Sequence, residues 1–574
     1  MANEIYHRSN WGNAVNDIAW GDTYEKFDAT NEMFVRSDNY ENSKETDKLM
    51  AAINPKPSIL LTPTAYDNGS LHSVKPVKTF GSELVVNGDF SDGTNNWTPN
   101  TNATLSIDNG RLKVAISGAA SGYASQNITT VVGKKYNITA DAFIGTATKV
   151  SLYSAVFGFN DLTANGSYNL TFIATGTSTQ IRLYIYGDGT HGFWDNISIK
   201  EQTDADFQFS RNSSATRVNE QGLIEDVTDT NLPRIDYTDG TGSLLLEPQS
   251  TNLQLRSQEF DNSVWTASRA TLTANDAVSP DGTLNAYKLT HTSGSSGYVF
   301  DTIPTVNSGD SRSISVFAKY IDDEVFKIVS FTDSGNSEFN LLNGTVTSVF
   351  GTITDAKIEN YGNGWYRCSC KYTATTTSTK NYGFYLDDAS KEGVHIWGAQ
   401  VEEQSFSTSY IPTSGSTVTR DADVCNNSGS SDLINSTEGV LYCEIAALAD
   451  DGTSRRISLS DGGSSDRLEI FYGTIANRID YHIYSGSSFQ ASGFSLLSSA
   501  TDFNKIAVKY KENDFALWVN GTEVSTNLSG STPIGLNKLQ LQDASGSNDF
   551  YGKVKSVAVY KEALTDEELT ALTT

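Results

Sequence analysis

Methionine, cysteine and histidine are scarce in this 574-residue chain, at 3, 4 and 6 residues. Six scattered histidines leave no zinc-type ligand cluster to read. Four cysteines are too few for a disulfide scaffold. Cys368 and Cys370 lie two apart on an apparent strand, a poor geometry for bonding each other. Cys425 and Cys443 are free to pair in principle, but the expectation is four reduced thiols in a protein made in a cytoplasm. No run of about 18 apolar residues exists, so no membrane insertion is expected. The opening residues have no basic stretch followed by an apolar one, so no signal peptide is expected. Positive charge is also short, with 41 Lys and Arg against 68 Asp and Glu, a net −27. A surface that negative repels phosphate backbones, which excludes nucleic acid as a partner. No G-x-S-x-G, H-E-x-x-H, C-x-x-C or Gly-rich phosphate loop is present. The chain therefore reads as a protein that is not an enzyme.

Aromatic residues and glycine are plentiful: 27 Tyr, 26 Phe, 8 Trp and 46 Gly. They sit in short alternating runs bounded by Gly, Asn and Asp, which make strands and tight turns. Leu- and Ala-rich helical patterning is nearly absent. The expected fold class is mostly β, with tandem jelly-roll β-sandwiches and a small irregular N-terminal region. Length alone favours roughly four domains, at about 150 residues each.

Taken in order, residues 1–78 are aromatic and irregular, with a short helix expected at 44–53 and a strand at 59–61. Residues 79–202 form a first β block, opening on Asn87-Gly88-Asp89-Phe90 with Trp97 and closing on Trp194-Asp195-Asn196-Ile197. Residues 203–257 are a connector of short strands. Residues 258–413 read as a diverged copy of the first block, longer in the middle, around 322–365. Phe260 and Trp265 answer Phe90 and Trp97, Gly297-Tyr298 answers Gly122-Tyr123, and Trp397 answers Trp194. A small-residue linker, 414–436, precedes the last block, 437–574. There Asn520-Gly521 signals a hairpin and Thr565 with Glu568 a capping box.

The connector carries ATRVN (215–219), GLIE (222–225), PRIDY (233–237) and LLLEPQSTNL (244–253). This pattern resembles a segment that recurs in tail-fibre-like and other surface proteins of bacteriophages. The resemblance implies a virion protein, made in the host cytoplasm and placed on the tail or capsid surface. Its N-terminal region would attach to other virion proteins, and it would assemble as a homo-oligomer, commonly a trimer, contacting host surface glycans. The alternatives are a head fibre or capsid decoration protein with no receptor role, and a polysaccharide depolymerase. The first block resembles carbohydrate-binding-module jelly rolls, and the last resembles concanavalin A-like (laminin-G-like) domains. Concanavalin-like glucanases carry a compact E-x-D-x-x-E strand; the last block lacks it, and Glu444 and Glu469 stand on separate runs.

Sugar binding needs aromatic faces with a few amides or charged groups beside them. Most tryptophans, including Trp97, Trp265, Trp194, Trp397 and Trp518, sit in apolar strand patterns and read as core. Tyr184 and Tyr186 alternate on one strand and point the same way, so they are the better glycan-binding pair. Tyr481 and Tyr484 are the candidates of the last block. Three apart, they face opposite ways on a regular strand, so at most one of them serves a given site. No cofactor is certain. A structural calcium is the one metal expected, and the carbohydrate-module resemblance points to Asp89 and Asp195 for it, although both residue types also serve turns.

Overall fold

The computed structural model describes residues 56–574 apart from positions 64 and 295, together with the backbone of three strands, Asp17–Trp20, Thr23–Asp28 and Met33–Ser37. The helix expected at 44–53 and most of the N-terminal attachment region lie outside the described residues. The described chain is mostly β, built of antiparallel sheets with one C-terminal helix, Asp566–Thr573. It divides into two units, Lys75–Ala205 and a second formed by Met1–Val74 with Asp206–Thr574.

The first unit is one β-sandwich. One sheet runs Thr98–Pro99, Ser121–Thr129, Ser178–Tyr186, Lys149–Ser154, Gly158–Leu162. The other runs Ala103–Asp108, Arg111–Ile116, His191–Thr203, Lys135–Phe143, Gly166–Ile173, with Thr79–Glu83 also on His191–Thr203. Strict alternation puts Leu112, Val114, Ile138, Leu183 and Ile185 inside, as a half-buried strand requires. Trp97 closes one end, its Nε1 donating to the Asn87 carbonyl at 3.0 Å with the Phe90 ring 5.7 Å away.

The second unit repeats this order in residues 266–402. Its first sheet runs Thr266–Ser268, Gly297–Val306, Ser378–Leu386, Val325–Ser330, Gly335–Asn340. Its second runs Ala270–Val278, Leu284–His291, Val394–Glu402, Ser311–Tyr320, Trp365–Thr373. The extra middle length forms one added edge strand on each sheet, Thr345–Gly351 and Ile353–Asn360. Trp265 repeats the Trp97 bond, donating to the Arg256 carbonyl at 2.9 Å.

The two copies also share a β-bulge. Pairing shifts between Thr139 and Asp141 in one and between Ser315 and Phe317 in the other. The bulged partner strand carries a left-handed residue in both, Asn196 (φ 51) and Gly398 (φ 63). Asn and Gly are the residues that enter this region most easily. This register corrects the expected match of Trp194 with Trp397. Ala142 pairs Trp194 while Ala318 pairs Ile396, so Ile396 is the counterpart of Trp194, and Asp195 that of Trp397. A one-residue offset on a strand reverses the face. Trp194 points into its sandwich and stacks on Tyr168 at 5.6 Å. Trp397 points out of its own and packs on Tyr410 at 4.7 Å and Phe317 at 5.3 Å, in a cluster with Val218 and Ile224 of the connector.

The last sandwich pairs Ser488–Leu496, Arg478–Ser485, Arg467–Tyr472, Arg455–Ser460 and Lys538–Gln540 in one sheet. The other centres on Gly552–Tyr560, Glu438–Ala447, Asn504–Lys511, Phe515–Val519 and Thr522–Asn527. Asn520 and Gly521 take left-handed φ of 48 and 82 in the hairpin turn, the geometry of a tight two-residue loop. Thr565 and Glu568 form the capping box of the helix.

The connector and linker are not spacers between domains. Ser243–Leu246 and Ile59–Leu61 both pair with Gly552–Tyr560, so connector and N-terminal segment complete a sheet of the last sandwich. Ser250–Asn252 pairs Val418–Arg420, and Phe207–Ser210 pairs Val424–Asn426. Between them lies a buried ion network. Asp423 binds Arg211 at 3.1 Å and also Arg234. Glu247 binds Arg234 and Arg420, each at 2.8 Å. All five side chains are at most 2 % exposed. Burying charge is unfavourable unless partners and hydrogen bonds saturate it, and here Ser409 adds bonds of 2.7 and 2.6 Å to Glu247. Burial raises the Glu247 pKa, but Arg420 and Arg234 outweigh it and hold the carboxyl at about 2. All four cysteines are free and buried.

Candidate functional site

The outward face of the first sandwich's Ser121–Thr129 sheet brings together an aromatic surface. In Ser178–Tyr186 the alternation turns Ile181, Leu183 and Ile185 inward and Gln180, Arg182, Tyr184 and Tyr186 outward. Cross-strand register then sets the rows. Tyr123, Tyr184, Ser151 and Asp161 lie side by side across four strands. Ser125, Arg182, Tyr153 and Phe159 form the next row. Ser121, Tyr186 and Lys149 flank the first row, and Asn127 and Gln180 continue beyond the second.

The rings are close. Tyr184 is 4.7 Å from Tyr123, 5.8 Å from Tyr186 in a stacked arrangement and 5.3 Å from Phe159. Phe159 is 54 % exposed, the most open ring of the group. The Arg182 guanidinium lies 4.8 Å from the Tyr123 ring centre and 5.4 Å from that of Tyr153. Lys149 sits 4.3 Å over Tyr186 and bonds Asp161 at 2.6 Å. The hydrogen bond from Lys149 lowers the Asp161 pKa. At the Asn127–Gln180 end a cleft of about 370 Å³ is lined by Asn96, Thr98, Ser125, Gln126, Asn127 and Gln180. The ring faces, and beyond the second row a cleft of amides and hydroxyls, supply stacking and hydrogen bonding on one face of the sheet.

Tyr184 and Tyr186 are thus brought into one surface. The pair in the last sandwich is separated. Tyr481 is 0 % exposed and points into the sandwich, which corrects its reading as a sugar-stacking residue. Tyr484 faces outward, but Arg467 lies 3.7 Å over its ring and Phe489 packs edge-on at 5.4 Å. Glu469 on the same face is held by Arg456 at 2.8 Å and Arg467 at 3.2 Å.

The calcium candidates stand on adjacent segments, since Ile197 N–H donates to the Gly88 carbonyl at 2.9 Å. Asp89 is exposed and spends Oδ1 on Ser91 N–H and Oγ, which lowers its pKa. Asp195 spends Oδ1 on the Asn196 N–H at 2.9 Å. Each offers one remaining carboxylate oxygen, so a calcium ion would draw most of its six to eight ligands from backbone carbonyls and water. Among the described residues no group of three or more His, Cys, Asp and Glu is placed to hold a metal.

Sequence reasoning did not single out Arg182, Lys149 or Phe159. The alternation Gln180-x-Arg182-x-Tyr184-x-Tyr186 was the signal for Arg182. Phe159 follows a turn and needs the register to be placed.

Residues 445–570 match the Laminin_G_3 family, described as the concanavalin A-like lectin/glucanases superfamily. A search of curated proteins finds no match. Among solved structures, the chain is similar to the CBM40 module of a Ruminococcus gnavus IT-sialidase bound to α2,3-sialyllactose, at 14 % identity over 26 % of this chain and 94 % of that one, TM-score 0.23. It is similar to the N-terminal tandem CBM22 pair from Paenibacillus barcinonensis, at 12 % identity over 56 % and 98 %, TM-score 0.22. The LG4-5 domains of the mouse laminin α1 chain follow, at 11 % identity over 46 % and 88 %, TM-score 0.17. Structural similarities this weak say nothing of ligand or activity. The last block is a laminin-G-like β-sandwich by its sequence match and its own topology.

Proposed function

We propose that this chain is a bacteriophage surface protein, a tail fibre or spike, that holds host-cell glycans on the outer face of its first sandwich. The observation that carries the glycan reading is the cluster of Tyr123, Tyr153, Phe159, Tyr184 and Tyr186 on a solvent-facing sheet, beside a polar cleft. A core would bury such rings; here they stand outside a sandwich already filled by its own apolar residues. A pyranose ring stacks on them, and Asn127 and Gln180, further along the same strands, meet a neighbouring sugar of the same glycan. The virion assignment rests on the connector pattern at 215–253. The N-terminal region then attaches to the particle, and several copies, as in a trimer, raise weak single-site affinity by avidity. On this reading the face holds its glycan without cleaving it, since glycoside hydrolysis requires two available carboxylates and the described rows of this face carry one acid, Asp161, bonded by Lys149.

The full chain, labelled and offered to the bacterium on which such a particle grows, tests this. Saturable binding that is competed by the cell's own surface polysaccharide and weakened by Tyr184→Ala supports the proposal. Absence of binding by the assembled full chain favours a head fibre or decoration protein. Release of shortened oligosaccharides favours a depolymerase.

A further inference from the structure

The geometry points to a carboxylate-bearing sugar, a uronic or nonulosonic acid unit, as the glycan recognised on this face, with Arg182 as the residue that selects it. The inference rests on the glycan-binding reading above and names the substrate class. Arg182 lies in the middle of the ring cluster, between Tyr123 and Tyr153. Its orientation is fixed from within the protein: Nε donates to Gln180 Oε1 at 2.8 Å and Nη1 to the Tyr184 hydroxyl at 3.3 Å. A guanidinium carries five N–H donors. Two are used, so three, one on Nη1 and two on Nη2, have no acceptor among the described residues. No carboxylate pairs with it either. The one acid of these rows, Asp161, is held by Lys149. Two cations less one carboxylate leave this face at +1, in a chain of net −27. A fixed, unpaired guanidinium fork at that place fits the planar, two-oxygen geometry of a carboxylate.

The second sandwich supplies an internal comparison. Tyr298 and Tyr385 pair there as Tyr123 and Tyr184 do here, stacked at 6.0 Å. Counting along the strands from those pairs, Arg182 corresponds to Gly383 and Ser125 to Phe300. A Cβ at 383 would lie 2.2 Å from the Val299 carbonyl oxygen. No guanidinium therefore stands at that central position; Arg269 lies 5.8 Å over the Tyr298 ring but directs Nε and Nη2 to Ser296, and the nearest equivalent of Lys149, Lys327, is held by both Glu338 and Asp387.

The test is calorimetric titration of the assembled full chain with three probes: a galacturonic acid trisaccharide, the neutral maltotriose and a sulfated chondroitin oligosaccharide. Wild type is expected to hold the uronate about tenfold more tightly than the neutral sugar, the worth of a charge-assisted hydrogen-bond pair. Arg182→Gln is expected to erase that preference while retaining residual stacking affinity, and Tyr184→Ala to lower affinity for uronate and neutral sugar together. Equal affinity for uronate and neutral sugar, unchanged by Arg182→Gln, overturns the inference and leaves the glycan face intact. Binding of the sulfated probe alone also overturns it. Loss of nothing on Tyr184→Ala, with sugar still bound, overturns the glycan face itself.

Discussion

The first two sandwiches have one strand order, one bulge and one tryptophan anchor, and differ in what packs on their outer faces. At the bulge the first copy carries Asp141 and Asp195 on an open face, where Asp141 bonds Ser167 and Asn196. The second carries Phe317 and Trp397 at those two positions, packed by Tyr410 and covered by Val218 and Ile224 of the connector. Even the bulge residue follows: at 398 a Cβ would stand 3.0 Å from Phe317 and 3.2 Å from Tyr410. Exchanging polar for aromatic residues on one outer face gives the connector an apolar surface to pack on. On the opposite sheet the difference runs the other way. The first copy keeps Arg182, Tyr153 and Phe159, whereas the second has Gly383, Val329 and Asn336 in those places. The same frame has one copy read as a binding surface and the other as structure.

The comparison breaks first at Trp397. Trp397→Ala is expected to destabilise the larger unit by about 3–5 kcal/mol, as for a large buried aromatic, while its counterpart Asp195→Ala changes the first sandwich by no more than about 0.5 kcal/mol. Denaturant unfolding followed by fluorescence reads both. Similar effects at the two positions would mean that the covered face and the open face are not distinct.

The ion network beneath the connector gives the next effect. Glu247 has its pKa held below the ordinary 4.5, at about 2. A carboxylate with a lowered folded pKa adds stability that is present above its ordinary pKa and is lost as pH falls toward the folded value. The larger unit should therefore lose on the order of 3 kcal/mol between pH 4.5 and 2 from this group. Urea melts across that range should show the loss, and a Glu247→Gln variant a flatter profile. A wild-type profile no steeper than that of the variant would remove the network from the account.

On the first sandwich, Tyr184→Ala is expected to weaken glycan binding about tenfold, since a stacked ring contributes about 1 kcal/mol or somewhat more. Tyr385→Ala, its counterpart, should leave the same titration unchanged. The smallest effect concerns calcium. An ion held between Asp89 and Asp195 would raise the first sandwich's melting temperature by about 2–4 °C on saturation, lost in Asp195→Asn; a melt indifferent to calcium and to chelator would take the ion out.

Much of this was legible in the sequence. The β class, the repeat, the hairpin at Asn520-Gly521 and the capping box at Thr565 are set by local chemistry. The outward pairing of Tyr184 with Tyr186 follows from strand alternation alone. Tyr481 was not legible, because alternation separates two faces without saying which one the core takes. Trp397 was misplaced because a bulge adds one residue to a strand and inverts parity beyond it. The connector's role was hidden because its partners, Gly552–Tyr560 and Val418–Arg420, lie more than 150 residues away. The ion network was hidden in the same way, because Arg211 and Arg234 meet Asp423, and Arg420 meets Glu247, only across long stretches of chain.

The most direct measurement is a crystal structure of the full chain with a galacturonic acid trisaccharide bound. The account predicts a sugar ring over Tyr184 and Tyr123 with its carboxylate on Arg182. A sugar bound at Tyr298 and Tyr385, or on the outer face of the last sandwich, with the Tyr184 surface bare, would contradict it.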